Sequence, residues 1–277
     1  MPELPEVETL ASDLRPHLVG RTLLSCDLRF PAIVRYPDPR CFAELVVGHR
    51  IEALNRRGKY LLHHLSPPVE DLLLVVHLGM TGQWRRVAPA APEPDHLHAV
   101  FELDDGSLLR YRDVRRFGRL LLGGEAELIA VRALPRLGPD PIDPSFSSTD
   151  LYRRLHPRRA PVKALLLDQS VVAGVGNIYA DEALWRARVR PERAAGTLTR
   201  AAVARLRTAL QEVLLQAIQG RGSSVRSYRD AWGQLGQEQE RLQVYGRAGQ
   251  PCPRDGHPLS LVRIAGRSTV FCRRCQR

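Results

Sequence analysis

The chain has 277 residues, 44% of them hydrophobic, which is enough to bury the core of one large domain or of two smaller ones. No run approaches the roughly eighteen apolar residues of a membrane-spanning helix, and the acidic start MPELPEVETL excludes a secretory signal, so we expect a soluble intracellular protein. The net charge of +11 predicts a polyanionic partner, and nucleic acid is favoured over a membrane surface because no basic amphipathic helix stands out.

The first 122 residues predict one helix followed by strands. Val7, Leu10, Leu14 and Leu18 recur at helical spacing, and Gly20 can end this helix. Strand-like patterns then cover residues 43–54, 59–65, 72–77, 97–103, 107–112 and 118–122. This order predicts an α+β fold that begins with an N-terminal helix and a β-sandwich.

A segment rich in proline and glycine, residues 134–144, predicts a linker. Helical patterns follow at residues 149–156, 161–168, 177–187 and 199–219. The polar, glycine-containing residues 220–243 are too many for a plain connection and predict a mobile functional loop. We therefore predict three domains, with bounds 1–133, 134–243 and 244–277.

The last domain contains three of the five cysteines, in a pattern typical of a metal site. Cys272 and Cys275 have the two-residue gap that lets both thiolates bind one zinc ion, and Cys252 supplies a third sulfur. The fourth ligand has two candidates. Asp255 has the better spacing, whereas His257 offers the more usual ligand beside three thiolates, and we favour His257.

A β-hairpin formed by residues 259–264 and 268–271 would bring the two halves of this zinc site together. The tail carries seven arginines and one acidic residue, so a zinc-supported basic hairpin is suited to binding DNA. Arg267 lies at the expected hairpin turn and is the arginine that we single out.

Lysine is rare in this chain. Only Lys59 and Lys163 are lysines among 41 basic residues. An ammonium group can lose its proton near neutral pH when it is desolvated, whereas a guanidinium group cannot, so both positions are candidates for chemistry.

Six segments together resemble one known family. They are PELPEVET at 2–9, RRGKYL at 56–61, HLGMTG at 77–82, DVRRFGR at 113–119, AGVGNIYADEALW at 173–185 and the tail QVYGR…PC…FCRRCQ. In this order they resemble formamidopyrimidine-DNA glycosylase over essentially the whole chain. The resemblance implies a β-sandwich, a helix–two-turn–helix domain and a C-terminal zinc-finger β-hairpin. The chain departs from the family at Asp255, which replaces a cysteine ligand, and at Val114, which replaces a proline.

The resemblance also implies a catalytic mechanism. Removal of Met1 would leave the secondary amine of Pro2 to attack C1′ of a damaged nucleotide and to form a Schiff base. By the same resemblance Glu3 is the general acid and base, and Lys59 is a positioned ammonium for the leaving base and the elimination. Strand cleavage by β,δ-elimination would follow.

The nucleotide must leave the base stack before its C1′ can react. Met80, Arg115 and Phe117 match the family residues that fill the gap: an apolar wedge, a cation for the orphaned cytosine and an aromatic ring.

The remaining DNA contacts are also implied by the resemblance. Lys163, Asn177 and Arg267 match a phosphate clamp, and we count Arg267 with the catalytic residues because a role in the second elimination stays open. The further DNA contacts are His96, Arg158 and Tyr228. Tyr228 ends the segment 223–228, which matches the loop that closes over the flipped base.

The sequence thus predicts a bacterial, cytoplasmic, nucleoid-associated monomer with one structural zinc ion, which acts on double-stranded DNA containing oxidised purines or abasic sites. An endonuclease VIII-like enzyme for oxidised pyrimidines is the nearest alternative, and Leu4 disfavours it. The other is a non-catalytic zinc-finger protein that binds damaged DNA. The intact Pro2-Glu3 start and Lys59 disfavour this second alternative.

Overall fold

The computed structural model describes residues 1–66, 72–225 and 228–277. These residues form two compact units. Unit 1 consists of residues 1–136 and 223–236, and unit 2 of residues 137–222 and 237–277. This division differs from the three predicted domains, because most of the loop 220–243 belongs to unit 1 and the cysteine-bearing tail belongs to unit 2.

Unit 1 contains three helices and nine strands among its described residues. The helices are α1 (Leu4–Leu18), α2 (Pro39–Val46) and α3 (Glu125–Ala130). The strands are β1 (Leu23–Leu28), β2 (Val34–Tyr36), β3 (Ile51–Arg57), β4 (Tyr60–Leu65), β5 (Leu72–His77), β6 (Gly82–Val87), β7 (Leu97–Leu103), β8 (Leu108–Asp113) and β9 (Arg119–Gly123).

These strands form two sheets, in the orders β1-β7-β8-β6 and β2-β9-β5-β4-β3. Side chains from both sheets and from α1 share one buried apolar cluster, in which Trp84, Phe101 and Tyr111 are among the largest members. The α1 residues Val7 and Leu14 belong to this cluster. The predicted N-terminal helix and β-sandwich are therefore confirmed.

The predicted strand at residues 43–54 is wrong over its first part. Residues 39–46 form α2, and β3 begins only at Ile51. The Asp38 side chain accepts a hydrogen bond from the Arg40 N–H at 2.9 Å and so caps the helix. Phe42 and Val46 are four residues apart and both fully buried, so helical spacing matches the core better than strand alternation does.

Unit 2 contains four helices and one hairpin among its described residues. They are α4 (Ser148–Leu155), α5 (Val162–Leu167), α6 (Asn177–Arg186), α7 (Arg200–Gln219), β10 (Ser260–Ile264) and β11 (Arg267–Phe271). All six lie within two residues of their predicted bounds. No helix among the described residues has the length and apolarity needed to cross a membrane.

His63 is a buried polar residue in the core of the sandwich. Its Nδ1 donates to the Leu74 carbonyl oxygen at 3.1 Å, and its Nε2 accepts from the Trp84 indole N–H at 3.1 Å. These partners require the neutral imidazole, since the carbonyl oxygen can only accept and the indole N–H can only donate. Burial is the main cause that lowers the pKa of His63, from 6.5 to about 4.

We predict that His63 makes the protein less stable in acid. Between pH 6.5 and 4 the unfolded chain binds a proton at this site and the folded chain does not, so the free energy of unfolding falls as the pH falls. The shift corresponds to about 3 kcal/mol across this window. Denaturant unfolding at a series of pH values should show that the free energy of unfolding falls less steeply with falling pH in His63→Gln than in the wild type.

Leu65→Val, on the same strand, is the control for this measurement, because it removes buried apolar volume and no titratable group. It should lower the free energy of unfolding by a similar amount at every pH. An identical pH dependence in His63→Gln and the wild type would contradict the assignment.

Candidate active site and metal centre

The start of α1 carries the predicted nucleophile and the predicted acid. Pro2 and Glu3 are both buried, and Glu3 is the residue that caps the helix. The Glu3 N–H donates to Glu6 Oε2 at 2.7 Å, as part of a capping box that fixes the first turn. This arrangement holds Glu3 and the chain end that precedes it in one position.

Glu6 is a site residue that the sequence reasoning missed. Its second oxygen, Oε1, accepts a hydrogen bond from the Ser223 N–H at 2.7 Å. One buried carboxylate therefore binds both the start of α1 and the start of the loop that was expected to close over a flipped base. The Glu3-x-x-Glu6 spacing was the available signal, since a capping box needs an acidic or amide side chain three residues after the cap.

Lys59 lies in the tight turn between β3 and β4, where the preceding Gly58 has a φ of 59°. Its side chain is 6% exposed. Helix α1 packs against both strands. Arg56 ties the turn to α1, because its Nε donates to Glu8 Oε2 at 2.6 Å and its Nη1 donates to the Gly58 carbonyl oxygen at 3.2 Å.

His77 adds no positive charge beside Lys59. Its ring stands 4.8 Å from the Tyr60 ring, across the β4–β5 pair. Burial, together with the nearby charges of Lys59 and Arg119, lowers the pKa of His77 to about 4. His77 is therefore neutral at pH 7, and Lys59 lies beside an uncharged imidazole.

The three predicted insertion residues lie on two turns that one buried carboxylate joins. Asp113 is fully buried, and its Oδ1 accepts hydrogen bonds from the Thr81 hydroxyl at 2.5 Å and from the Arg115 N–H at 3.2 Å. Its Oδ2 accepts the Gly118 N–H at 2.8 Å. Because Met80 precedes Thr81, this bonding brings the Met80 turn and the 115–118 turn together.

Close backbone contact supports the same arrangement. A Cβ atom on Gly79 would lie 2.5 Å from the backbone of residues 117–118, so only glycine fits there. The Arg115 guanidinium lies 4.6 Å from the centre of the Phe117 ring, and this ring is 49% exposed. Met80 is half-buried beside them. The two turns thus present an apolar side chain, a cation and an aromatic ring at the surface of unit 1.

In unit 2, the predicted phosphate clamp converges on the start of β11. Arg267 is exposed at the first position of this strand, directly after the hairpin turn. Asn177, at the start of α6, donates from its side chain to the Ser268 carbonyl oxygen at 3.0 Å. Lys163 donates from Nζ to the same carbonyl oxygen at 3.1 Å. The three residues therefore lie around one short segment.

Lys163 nevertheless lies inside unit 2. It is fully buried, and its ammonium lies 2.7 Å from Asp181 and 2.8 Å from the Thr269 hydroxyl. Its predicted contact with a phosphate finds no support in this geometry, because the ammonium is fixed by buried partners. Lys163 instead positions the strand that carries Arg267. The sequence could not reveal the difference, since burial of a lysine depends on a carboxylate that is distant in sequence.

The other predicted DNA contacts divide into exposed and buried residues. His96 is exposed and has a positive φ of 61°, and Arg158 is exposed beside Asp168, at 3.7 Å. Tyr228 is buried, and its hydroxyl donates to the Glu6 carbonyl oxygen at 3.3 Å. Tyr228 therefore anchors the loop on α1. Residues 226–227 of the expected base-closing segment lie outside the described residues.

The tail brings four side chains together at one point. The ligand atoms of Cys252, Asp255, Cys272 and Cys275 all lie within 4.8 Å of one another. The sulfur atoms of Cys252 and Cys275 are 3.9 Å apart, a separation that fits two thiolates on one tetrahedral zinc ion with zinc–sulfur bonds of about 2.3 Å. The donor set of three sulfurs and one carboxylate oxygen therefore fits zinc.

The preference for His257 as the fourth ligand was wrong. His257 is exposed and does not belong to the cluster, whereas Asp255 lies 3.4 Å from the Cys272 sulfur. The His257 backbone N–H donates to Asp255 Oδ1 at 3.0 Å and so helps to orient the carboxylate. The spacing of Asp255 from Cys252 therefore predicted the fourth ligand better than the usual preference for histidine beside three thiolates did.

Comparisons with known proteins match three segments of the chain to domains of one family. Residues 1–120 match the model of the formamidopyrimidine-DNA glycosylase N-terminal domain, residues 137–229 that of its H2TH domain, and residues 249–277 the zinc finger found in FPG and IleRS. Formamidopyrimidine-DNA glycosylase of Moorella thermoacetica is 51% identical over 95% of both chains. That of Symbiobacterium thermophilum is 47% identical over 100% of this chain and 89% of its own.

Solved structures show the same relationship. The Lactococcus lactis Fpg in complex with DNA containing an abasic site superposes with a TM-score of 0.90 at 34% identity, over 99% of both chains. The MutM (FPG) protein of Thermus thermophilus has a TM-score of 0.87 at 44% identity, over 99% of this chain and 98% of that one. The chain belongs to the formamidopyrimidine-DNA glycosylase family.

Proposed function

We propose that this protein is a base-excision-repair DNA glycosylase with lyase activity, which removes oxidised purines from duplex DNA and cleaves the strand through a Schiff base on Pro2. Relatives at 44–51% identity carry the name formamidopyrimidine-DNA glycosylase, and solved Lactococcus relatives hold DNA with Fapy-dG or an abasic site. The observation that carries the proposal is the fixed position of Pro2 and Glu3 at the buried start of α1, with the Lys59 turn tied to the same helix.

The chemistry begins with removal of Met1, which frees the secondary amine of Pro2. An α-amino group titrates near pH 8, at about 7.7–8.0 in model peptides, so an appreciable fraction is neutral and nucleophilic at pH 7. Its nitrogen forms a bond to C1′ while the bond from C1′ to the base breaks, and the departing base takes a proton that the Lys59 ammonium can supply.

Glu3 serves the steps that follow. It protonates the ring oxygen of the sugar as the ring opens to the iminium ion on Pro2. The positive charge makes the C2′ proton acidic, so its removal expels the 3′ phosphate, and a second elimination expels the 5′ phosphate. Water then releases Pro2 from the sugar remnant.

The DNA contacts divide between the two units. On unit 1, Met80 and Phe117 would fill the space that an extruded nucleotide leaves, and Arg115 would bind the unpaired cytosine. On unit 2, Arg267 and Asn177 would bind the phosphate backbone next to the lesion. His96 and Arg158 would add further contacts. Double-stranded DNA as the partner and the net charge of +11 both favour association with the bacterial nucleoid. The protein would act there as a monomer.

The proposed role of the zinc finger is structural. Cys252, Asp255, Cys272 and Cys275 would hold one zinc ion, whose binding supplies folding energy to a segment with a small core. The Trp185 indole N–H lies 3.4 Å from the Cys252 sulfur and supports that ligand. The folded tail in turn presents Arg267.

The test of the mechanism is borohydride trapping on a duplex with 8-oxoguanine opposite cytosine. The wild type should form a covalent adduct with DNA, and Pro2→Gly should excise 8-oxoguanine at least about 100-fold more slowly, because a freely rotating primary amine replaces the secondary amine whose ring fixes its position. Pro5→Ala is the matched control, since it changes a proline in the same helix turn and leaves the reacting amine intact. Mass spectrometry should find Met1 removed.

Two results would overturn this mechanism: a trapped adduct on a residue other than the one at position 2, or full activity in a protein that retains Met1. Faster excision of thymine glycol than of 8-oxoguanine would replace the purine assignment by an oxidised pyrimidine. A wild type that binds damaged duplex without any trapped adduct would make the protein a non-catalytic binder.

We predict different defects for two residues around β11. Arg267→Ala should weaken binding to damaged and undamaged duplex alike, by about 10-fold, and should reduce the slope of log affinity against log salt by about one. Lys163→Met should instead lower the melting temperature, because Asp181 would stay buried without its cation. Binding titrations at four salt concentrations and thermal unfolding separate the two. A defect of Arg267→Ala on damaged DNA alone would contradict its phosphate role.

We also predict the effect of removing each candidate zinc ligand. Asp255→Ala should lose zinc to a competing chelator at least about 10-fold more readily than the wild type, because one of four bonds to the ion is absent. His257→Ala should keep one zinc per chain, measured by elemental analysis after dialysis against the chelator. Zinc retention by Asp255→Ala together with zinc loss by His257→Ala would reverse the assignment.

A further inference from the structure

Unit 1 contains a cavity lined by arginines, on the outer face of the sheet β1-β7-β8-β6. Its volume is about 530 Å³. We call it the arginine pocket, and the side chains that define it are Arg85, Arg110, Arg112, Arg229 and Trp232. Segments 91–94 and 229–233 form parts of its wall. None of the predicted catalytic or DNA-binding residues lines it.

Strand alternation explains why three arginines share this cavity. Trp84 on β6 and Tyr111 on β8 point into the sandwich core, so their neighbours in sequence face outward. Arg85 and Arg110 lie directly opposite each other in the antiparallel β6–β8 pair. Arg112 is two residues after Arg110 and points to the same side. Like charges at such positions repel one another, so the face carries an electrostatic cost that a bound anion would relieve.

Arg110 gives the pocket a fixed wall. It is 5% exposed, and its two terminal nitrogens donate to the carbonyl oxygens of Pro92 and Ala91, at 2.9 and 3.0 Å. No described carboxylate forms a hydrogen bond or salt bridge with this guanidinium, so its positive charge stays in the wall and adds to the positive potential of the cavity.

Arg85 and Arg112 are held by one nitrogen each. Arg85 Nε donates to the Ala231 carbonyl oxygen at 3.4 Å, and Arg112 Nε donates to the Asp95 carbonyl oxygen at 2.7 Å. Within the described part of the chain, neither guanidinium is paired with a carboxylate. Their terminal nitrogens therefore offer charged donors in a fixed geometry, which suits a phosphate or carboxylate.

The acidic residues next to the pocket are bound elsewhere. Glu93 binds Arg29 through both of its oxygens, at 2.5 and 2.6 Å. Asp230 accepts hydrogen bonds from the N–H groups of Trp232 and Gln234, at 3.0 and 2.8 Å. No described residue that lines the pocket is acidic. The positive charge of the pocket is thus not neutralised from within it.

Trp232 adds an aromatic surface to this charge. Its side chain is 44% exposed, and the edge-to-face contact with the His17 ring, at 5.2 Å between ring centres, supports its position. An indole ring beside arginines is the combination that binds a base by stacking and a phosphate by charge. The cavity volume is in the usual range for small-molecule sites, about 300–1,000 Å³.

We propose that the arginine pocket binds a mononucleotide, with its phosphate between Arg85 and Arg112 and its base against Trp232. Arg110 holds the 91–92 segment in place and adds its positive charge to the wall of the site. None of the residues proposed to excise a base lines this site, so the inference does not depend on the proposed function.

The experiment is calorimetric titration of the full-length protein with dGMP. We expect saturable binding of one dGMP per chain, about 10-fold weaker in Arg85→Gln and in Arg112→Gln, since each removes a charged donor. Arg86→Gln is the matched control, because Arg86 lies on the same strand but pairs with Asp105 outside the pocket, and it should bind dGMP like the wild type. Trp232→Leu should weaken binding of dGMP but not of inorganic phosphate.

Three further measurements distinguish the pocket from the DNA site and from a general anion site. Binding of dGMP should persist when a duplex with an abasic-site analogue is already bound. Both arginine variants should keep the melting temperature of the wild type, which shows that they are folded. Inorganic phosphate and a tetraglutamate peptide should each bind at least about 10-fold more weakly than dGMP.

Four results would overturn the proposal. They are the absence of dGMP binding by the wild type, an equal loss in Arg86→Gln, displacement of dGMP by the duplex, and tetraglutamate or phosphate binding as tight as that of dGMP. The tetraglutamate result would make the pocket a site for an acidic peptide instead.

Discussion

The two hydrogen bonds of the Glu6 carboxylate are the interaction on which the position of the proposed catalytic residues in unit 1 depends most. One of its oxygens accepts the Glu3 N–H and the other accepts the Ser223 N–H, both at 2.7 Å. A single buried acceptor thus fixes the residue next to the proposed nucleophile and the first residue of a loop more than 200 positions later in the chain. Charge-assisted hydrogen bonds of this kind are about twice as strong as neutral ones, so one side chain can hold both backbone segments.

Other buried carboxylates hold functional segments in the same way. Asp113 joins the turn after Met80 to the turn that carries Phe117. In unit 2, Glu182 accepts the N–H groups of residues 243–245, where the chain enters the zinc-binding tail. Burial raises the pKa of Glu182, and these N–H groups oppose that shift. Buried acids bonded to backbone N–H groups fix irregular segments that sheets and helices cannot fix, because such segments lack regular partners of their own.

The zinc site shows how a changed ligand can be accommodated. Asp255 has the position that the family gives to a cysteine, and its carboxylate reaches the three sulfurs because the 252–257 turn is closed by backbone hydrogen bonds and by the His257 N–H. An oxygen ligand makes a shorter bond to zinc than sulfur does, by about 0.2 Å. The tail can therefore keep its hairpin, and with it the position of Arg267, although one thiolate is replaced.

The sequence alone determined the long helices, the hairpin strands and the order of sandwich and helices, because apolar periodicity and turn residues are local properties. It also identified the three cysteines of the metal cluster, and it predicted chemistry at Pro2 and Lys59 from residue type. Tertiary structure decided which polar side chains are buried and with what partner: Lys163 lies inside unit 2 beside Asp181, and Asp255 rather than His257 joins the cysteines. The burial of Lys163 depends on a carboxylate that is distant in the chain, and no local pattern encodes that contact. The spacing of Asp255 to Cys252 is local, but only the fold shows that Asp255 also reaches Cys272 and Cys275.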